Sequence, residues 1–188
     1  QEATMQLSSS EKLILIMLSE IYQKLDIDPN QGIDPEFVQE AIYTNNTWGL
    51  NWKYQGIFDG SADSTPPEVN EVVDYLDMWT FVESAIGELT ADQLLRLEEK
   101  TGLKSDAIKF NGFDGNNESR YFGIANFLIQ KLDRFTNFKD RYLNSHMQVI
   151  GGYRRMHLAF EPMRRMLVGQ SLSLEQLVEI LNSRRFHP

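Results

Sequence analysis

Arg141-Tyr-Leu-Asn-Ser-His146 is the fragment whose residue types come closest to a catalytic pair. A histidine can pass a proton near neutral pH, and an arginine five residues away can hold charge that develops on a phosphate during transfer. The spacing is cheap to obtain by accident. With 10 arginines and three histidines in 188 residues, chance alone supplies such a pair in about one of every two chains of this composition.

Metal chemistry has thinner support. His157 and Glu161 stand four apart, which places both on one face of a continuous helix, but two ligands do not complete a metal site. Asp59-Gly-Ser-Ala-Asp63 and Asp114-Gly-Asn-Asn-Glu118 begin as calcium loops do. The twelfth loop position, which needs a bidentate glutamate, holds Asn70 in the first and Ala125 in the second. Glu71, Asp74 and Asp77 recur every three residues and read as the solvated face of a helix. No phosphate-binding GxxxxGK[ST] loop, GxGxxG turn or GxSxG elbow occurs, so no cofactor or metal is expected.

Three arginine pairs, Arg154-Arg155, Arg164-Arg165 and Arg184-Arg185, lie among Tyr153, Met156, Phe160, Met163 and Met166. Arginine, aromatic residues and methionine are enriched where proteins meet. Tyr153, Arg154, Arg155, Met156, Met163, Arg164 and Arg165 are therefore the candidate interface, within residues 149–168, and a homodimer is the expected assembly. The alternative for the same residues is a helix that buries the apolar stripe and leaves arginine in water. The charge layout bears on both. Residues 1–119 carry 22 acidic and 7 basic side chains, a net −15, whereas residues 120–188 carry 5 and 11, a net +6. Either the two parts attract each other or the basic part meets an acidic protein partner. The −15 carried by the rest of the chain disfavours nucleic acid on the basic part.

A chain of 188 residues, 41% hydrophobic and 24% charged, has the balance of one globular domain that needs no staple. There are no cysteines, which removes disulfides and thiolate chemistry. The longest aliphatic run, Leu13 to Leu18, is far short of the roughly 20 residues a membrane span requires, and nothing reads as a signal peptide. Met5 reads as the native start, and a cytoplasmic location is expected.

The elements that must position these residues are helical. Ser8 and Glu11 form a capping box before Leu13, Ile14, Met17, Leu18, Ile21 and Leu25, which repeat at three-to-four spacing. Asp34-Pro35 opens a short second helix, and Trp48 with Trp52 marks another turn. Thr65-Pro-Pro-Glu68 reads as a capping box before the longest periodic stretch, from Val69 to Leu89. Thr90 and Gln93 start a helix that Gly102 ends. Residues 114–117 are expected to cap a helix from Glu118 to about Phe135. Another is expected from Val149 to Phe160 with a break at Pro162, and Ser173 caps the last. No stretch alternates with period two. The prediction is an all-α single domain over residues 1–188, with about six to eight helices and a core including Val72, Leu76, Trp79, Phe122, Leu128 and Leu177.

Five segments in order, Glu11-Lys-Leu-Ile-Leu15, Trp48-Gly-Leu50, Val72-Val-Asp-Tyr-Leu-Asp-Met78, Phe110 to Tyr121 and Leu172-Ser-Leu-Glu-Gln-Leu-Val-Glu-Ile180, are similar to the YfbU family of small bacterial helical proteins. That resemblance implies a helical fold across nearly the whole chain and supplies no functional residues. Arg141 and His146 separately resemble the Arg-x4-6-His motif of the helical HEPN ribonucleases, which implies a competing function, RNA cleavage centred on that pair. The leading expectation is a non-catalytic protein that acts through protein contacts and self-associates.

Overall fold

The computed structural model describes residues 7–25, 32–57, 65–167 and 169–185. The first calcium-loop candidate, Asp59 to Asp63, lies outside those residues, as does His187. Among the described residues there are eight α-helices: α1 (Ser9–Lys24), α2 (Pro35–Tyr43), α3 (Trp48–Lys53), α4 (Pro67–Glu88), α5 (Ala91–Thr101), α6 (Ser119–Asn126), α7 (Ile150–Arg164) and α8 (Leu174–Ser183). One isolated parallel bridge links Phe113 and Asn144. None of the described helices is long and apolar enough to cross a membrane.

Local sequence sets most of these boundaries. Reciprocal capping boxes form at Ser8/Glu11, Thr90/Gln93 and Ser173/Gln176, and Gly102 ends α5 in the left-handed conformation at φ 65°. Asp34 caps α2 by accepting from the Phe37 amide at 3.1 Å. Three expectations need correction. Thr65 does not cap α4. Its hydroxyl accepts instead from the Trp52 indole at 3.2 Å, and α4 starts from Pro66 without a side-chain cap. The helix expected to run to Phe135 stops being α-helical at Asn126 and continues as a π-turn over Phe127–Lys131. Three consecutive residues of that wider turn, Phe127, Leu128 and Ile129, are buried. Finally, α7 runs through Pro162. Proline in the last turn costs one backbone hydrogen bond, and burial of Phe160 and Met163 on either side holds the helix in place.

The central helix is α4, with Val69, Val72, Leu76, Met78, Trp79 and Val82 essentially inaccessible. It packs on α6 and α7, while α8 lies against α5 and α7. Much of the core comes from outside regular helices. Phe110, Phe113 and Phe138 are buried, and Tyr153 of α7 sits among Trp79 at 5.5 Å, Phe113 at 5.7 Å and Phe110 at 5.9 Å between ring centres. Loop 110–118 is locked to loop 143–150. Phe113 donates to the Leu143 carbonyl and Ser145 donates to the Phe113 carbonyl, each at 3.1 Å.

Helix α1 behaves differently. It packs chiefly on α2, through the side bearing Leu15 and Ser19. The apolar set that its periodicity presents, Leu13, Ile14, Met17, Leu18, Ile21 and Leu25, is 53–63% exposed.

Candidate functional site

Arg141 is a structural clamp. Its Nη1 and Nη2 donate to Glu83 Oε1 and Oε2 at 2.9 and 2.8 Å, and Glu83 Oε1 also accepts from the Phe110 amide at 2.7 Å. The guanidinium lies 5.0 Å from the centre of the Phe138 ring. One fork thus ties loop 138–146 to α4 and to loop 110–118, with its charge neutralised by the carboxylate it grips. A cleft of about 470 Å³ beside it is lined by Lys109, Asn111, Tyr142 and Asn144, among others, but not by His146. His146 is exposed, held at φ 53°, with its amide donating to Asn144 Oδ1 at 3.0 Å and its Nε2 at 3.3 Å from the Tyr142 hydroxyl. Arg141 lines that cleft, and His146 reaches it through Tyr142.

Arg141→Ala is accordingly expected to act on stability. The lost bidentate bonds and the stranded Glu83 should cost about 1.5 kcal/mol, the low end for charged hydrogen bonds because Arg141 is a third exposed. Urea denaturation checks this, with Arg141→Lys restoring the charge but not the fork and so recovering only part of the loss.

The seven residues of the α7 candidate interface divide by burial. Tyr153 and Met156 are fully buried and Met163 is 8% exposed, so the apolar centre expected at an interface is the protein's own core. The arginines face outward but have work within the chain. Arg154 pairs with Glu71 at 3.0 Å, Arg164 with Asp77, and Arg165 with Glu161. Arg155 donates to the carbonyls of Ser183 and Arg184 at 3.2 and 2.5 Å, tying α7 to the end of α8. Arg185 donates to the Thr101 carbonyl at 2.8 Å. Glu71, Asp77 and Glu83, six residues apart along α4, each receive an arginine from the basic part of the chain. The charge asymmetry is thereby partly satisfied inside the molecule. Burial alone would raise the Glu71 carboxyl, but the Arg154 guanidinium and the Tyr121 and Tyr75 hydroxyls outweigh it and hold it below its ordinary value.

Asp74, Asp77, His157, Glu161, Arg164 and Arg165 line a polar groove of about 330 Å³. Among the described residues no three His, Asp or Glu side chains converge as metal ligands. Asp114 accepts from the Asn116 amide at 3.0 Å and from the Asn117 side chain at 2.5 Å, so the second calcium-loop candidate is a closed turn rather than a helix cap.

What stands out is α1. From Leu13 to Leu18 every residue is apolar, and such a run wraps around the helix instead of forming one stripe. An apolar run that wraps a helix belongs in a core, yet among the described elements α1 packs chiefly on α2, and Leu13, Ile14, Met17 and Leu18 stay more than half exposed. Next to the exposed residues opens an apolar groove of about 420 Å³ lined by Leu7, Ile14, Ile33, Leu50, Tyr54 and Ile57, among others. The run was visible in the sequence. What the sequence does not carry is which elements would fail to cover it.

A family model, the YfbU domain, matches residues 5–183, nearly the whole chain. A comparison with curated proteins gave no match. The chain belongs to the YfbU family.

Proposed function

We propose that this YfbU-family chain works through protein–protein contacts and not through catalysis, and that α1 is its contact surface. The observation that carries the reading is the exposure, at 53–63%, of six large apolar side chains, five on the 16-residue helix α1 and the sixth, Leu25, at its C-cap. Such residues scattered singly are ordinary, but a contiguous set marks an interaction surface. The surface differs from the α7 candidate in chemistry as well as place, being apolar where the α7 candidate exposes Arg154, Arg164 and Arg165, each held in a salt bridge. In support of the non-catalytic reading, Glu83 grips the Arg141 guanidinium with both carboxylate oxygens.

A photo-crosslinking residue at Met17, in cells expressing the chain, is expected to give discrete adducts, whereas one at the exposed Glu99 of α5 gives none. Absence of a Met17 adduct rejects the contact surface. Purified protein is expected to leave structured and unstructured RNA intact. RNA cleavage that disappears in Arg141→Ala and His146→Ala, with the fold retained, would restore the enzymatic reading.

A further inference from the structure

We infer that the partner covering α1 is a second copy of the chain, docked α1 to α1 in antiparallel orientation. This rests on the reading of α1 as a contact surface and adds the identity of what docks there.

The first argument is periodicity. Ile14, Leu18, Ile21 and Leu25 follow one another at spacings of four, three and four, the pattern by which one helix forms a seam with another helix. All four are more than half exposed. The rest of the exposed apolar set, Leu13 and Met17, flanks the same seam. No charged residue occurs between Lys12 and Glu20, so the stretch from Leu13 to Ser19 is free of the groups that interface cores exclude.

The second argument is area. At these exposures the six side chains offer roughly 600 Å² of apolar surface, at the top of the range for the largest patch on an ordinary monomer. A stable interface needs about 800 Å² from each partner. The adjoining groove, which shares Ile14 with the seam, extends the apolar surface toward that size. A two-fold interface uses the same patch twice, so a linear apolar seam is its own complement and no other protein need supply the matching surface.

The third argument sets orientation. α1 carries Glu11 in its first turn and Lys24 in its last. A parallel pair brings Glu11 beside its own copy and Lys24 beside its own copy, with the helix dipoles aligned. The antiparallel pair sets the end bearing Glu11 beside the end bearing Lys24 and opposes the dipoles. It is centred between Leu18 and Ile21, so that Leu18 meets Ile21 of the copy and Ile14 meets Leu25 of the copy. Helix α2 lies against the Leu15/Ser19 side and leaves the approach open.

The test uses the full chain. Sedimentation of the wild type from about 1 to 100 µM is expected to show a mass of two chains, in both low and high salt because the seam is apolar. Leu18→Glu/Ile21→Glu replaces two exposed residues, leaves the core alone, and should weaken association by at least about 100-fold with the melting of the diluted protein unchanged. The chain has no cysteine, so orientation can be read by disulfide formation. Ile14→Cys/Leu25→Cys is expected to crosslink as a dimer. Ile14→Cys alone is not, because antiparallel pairing separates the two thiols by about 11 residues of helix, roughly 16 Å, well beyond disulfide reach. A wild type that is monomeric throughout, or a dimer indifferent to Leu18→Glu/Ile21→Glu, overturns the inference. So does a disulfide from Ile14→Cys alone, which would mean parallel pairing. If the purified protein is monomeric while Met17 still captures a different protein in cells, the second copy is rejected and the contact surface stands. If Met17 captures nothing, both fall.

Discussion

Glu118→Ala is expected to destabilise the protein by about 4 kcal/mol, although Glu118 takes part in no ion pair among the described residues, because three backbone N–H groups each stand to lose an acceptor worth about 1–3 kcal/mol. The side chain is 7% exposed. Its Oε1 accepts from the Val149 and Ile150 amides at 2.7 and 2.8 Å, and Oε2 accepts from the Asp114 amide at 3.1 Å. Helix α7 starts at Ile150 without a side-chain cap of its own, since Val149 offers none, so a carboxylate 31 residues earlier does that work and also meets the positive end of the helix dipole. Alanine leaves these amides without a partner and without ready access to water. For a chain of this length the loss corresponds to a melting temperature lower by about 8–16 °C. Glu118→Gln keeps one acceptor oxygen and should recover roughly half the loss. Thermal and urea unfolding of the three proteins decide it, and hydrogen exchange at Val149 and Ile150 locates the damage. A Glu118→Ala protein within about 1 kcal/mol of wild type would mean that water or another group caps α7.

The same helix start shows where sequence reading stops. The capping boxes at Ser8 and Thr90 and the cap at Ser173 are local events, settled within four residues, and all three form, the last as a full capping box with Gln176. Thr65 has the same local pattern but is claimed by the Trp52 indole 13 residues earlier, and the cap of α7 comes from Glu118. Tertiary partners override local chemistry wherever a polar atom has a choice, and one chain's spacing does not reveal the choice. Periodicity fails in a related way. It marks Tyr153, Met156 and Met163 as one apolar stripe, and likewise Ile14, Leu18 and Ile21, but it cannot say which stripe finds cover inside the chain. The first closes over Trp79, Phe110 and Phe113, contributed in part by loops with no helical signal, and the second is left in solvent. Arg141 and His146 illustrate the limit for chemistry. Their spacing suits a phosphate site, but Glu83, 58 residues away from Arg141, occupies the guanidinium.

Gly112→Ala is expected to cost more than any other single methyl group placed in this chain, above about 4 kcal/mol and so close to the whole margin of a protein with ordinary stability. Two separate physical terms add. Gly112 has φ 79°, in the left-handed region that costs a residue with a Cβ about 1–2 kcal/mol. The added carbon would also stand 1.7 Å from the Leu143 carbonyl oxygen and 2.2 Å from its carbon. Those are backbone atoms, so no rotamer change relieves the clash and loop 110–118 must part from loop 143–150. Parting them breaks the Phe113–Leu143 and Ser145–Phe113 hydrogen bonds and the one from the Tyr153 hydroxyl to the Gly112 carbonyl at 3.2 Å. It also shifts Phe113, which is fully buried against Tyr75, Tyr121 and Tyr153. Gly102→Ala separates the two terms. It has a similar φ of 65°, but the nearest atom to its added Cβ is the end of the Arg185 side chain at 3.4 Å, so conformation alone is charged, about 1 kcal/mol. Paired thermal melts should place Gly102→Ala a few degrees below wild type and Gly112→Ala more than about 10 °C below it, or unfolded on recovery. Equal losses at the two positions would show that the approach of loop 143–150 to Gly112 is not what holds this part of the core together.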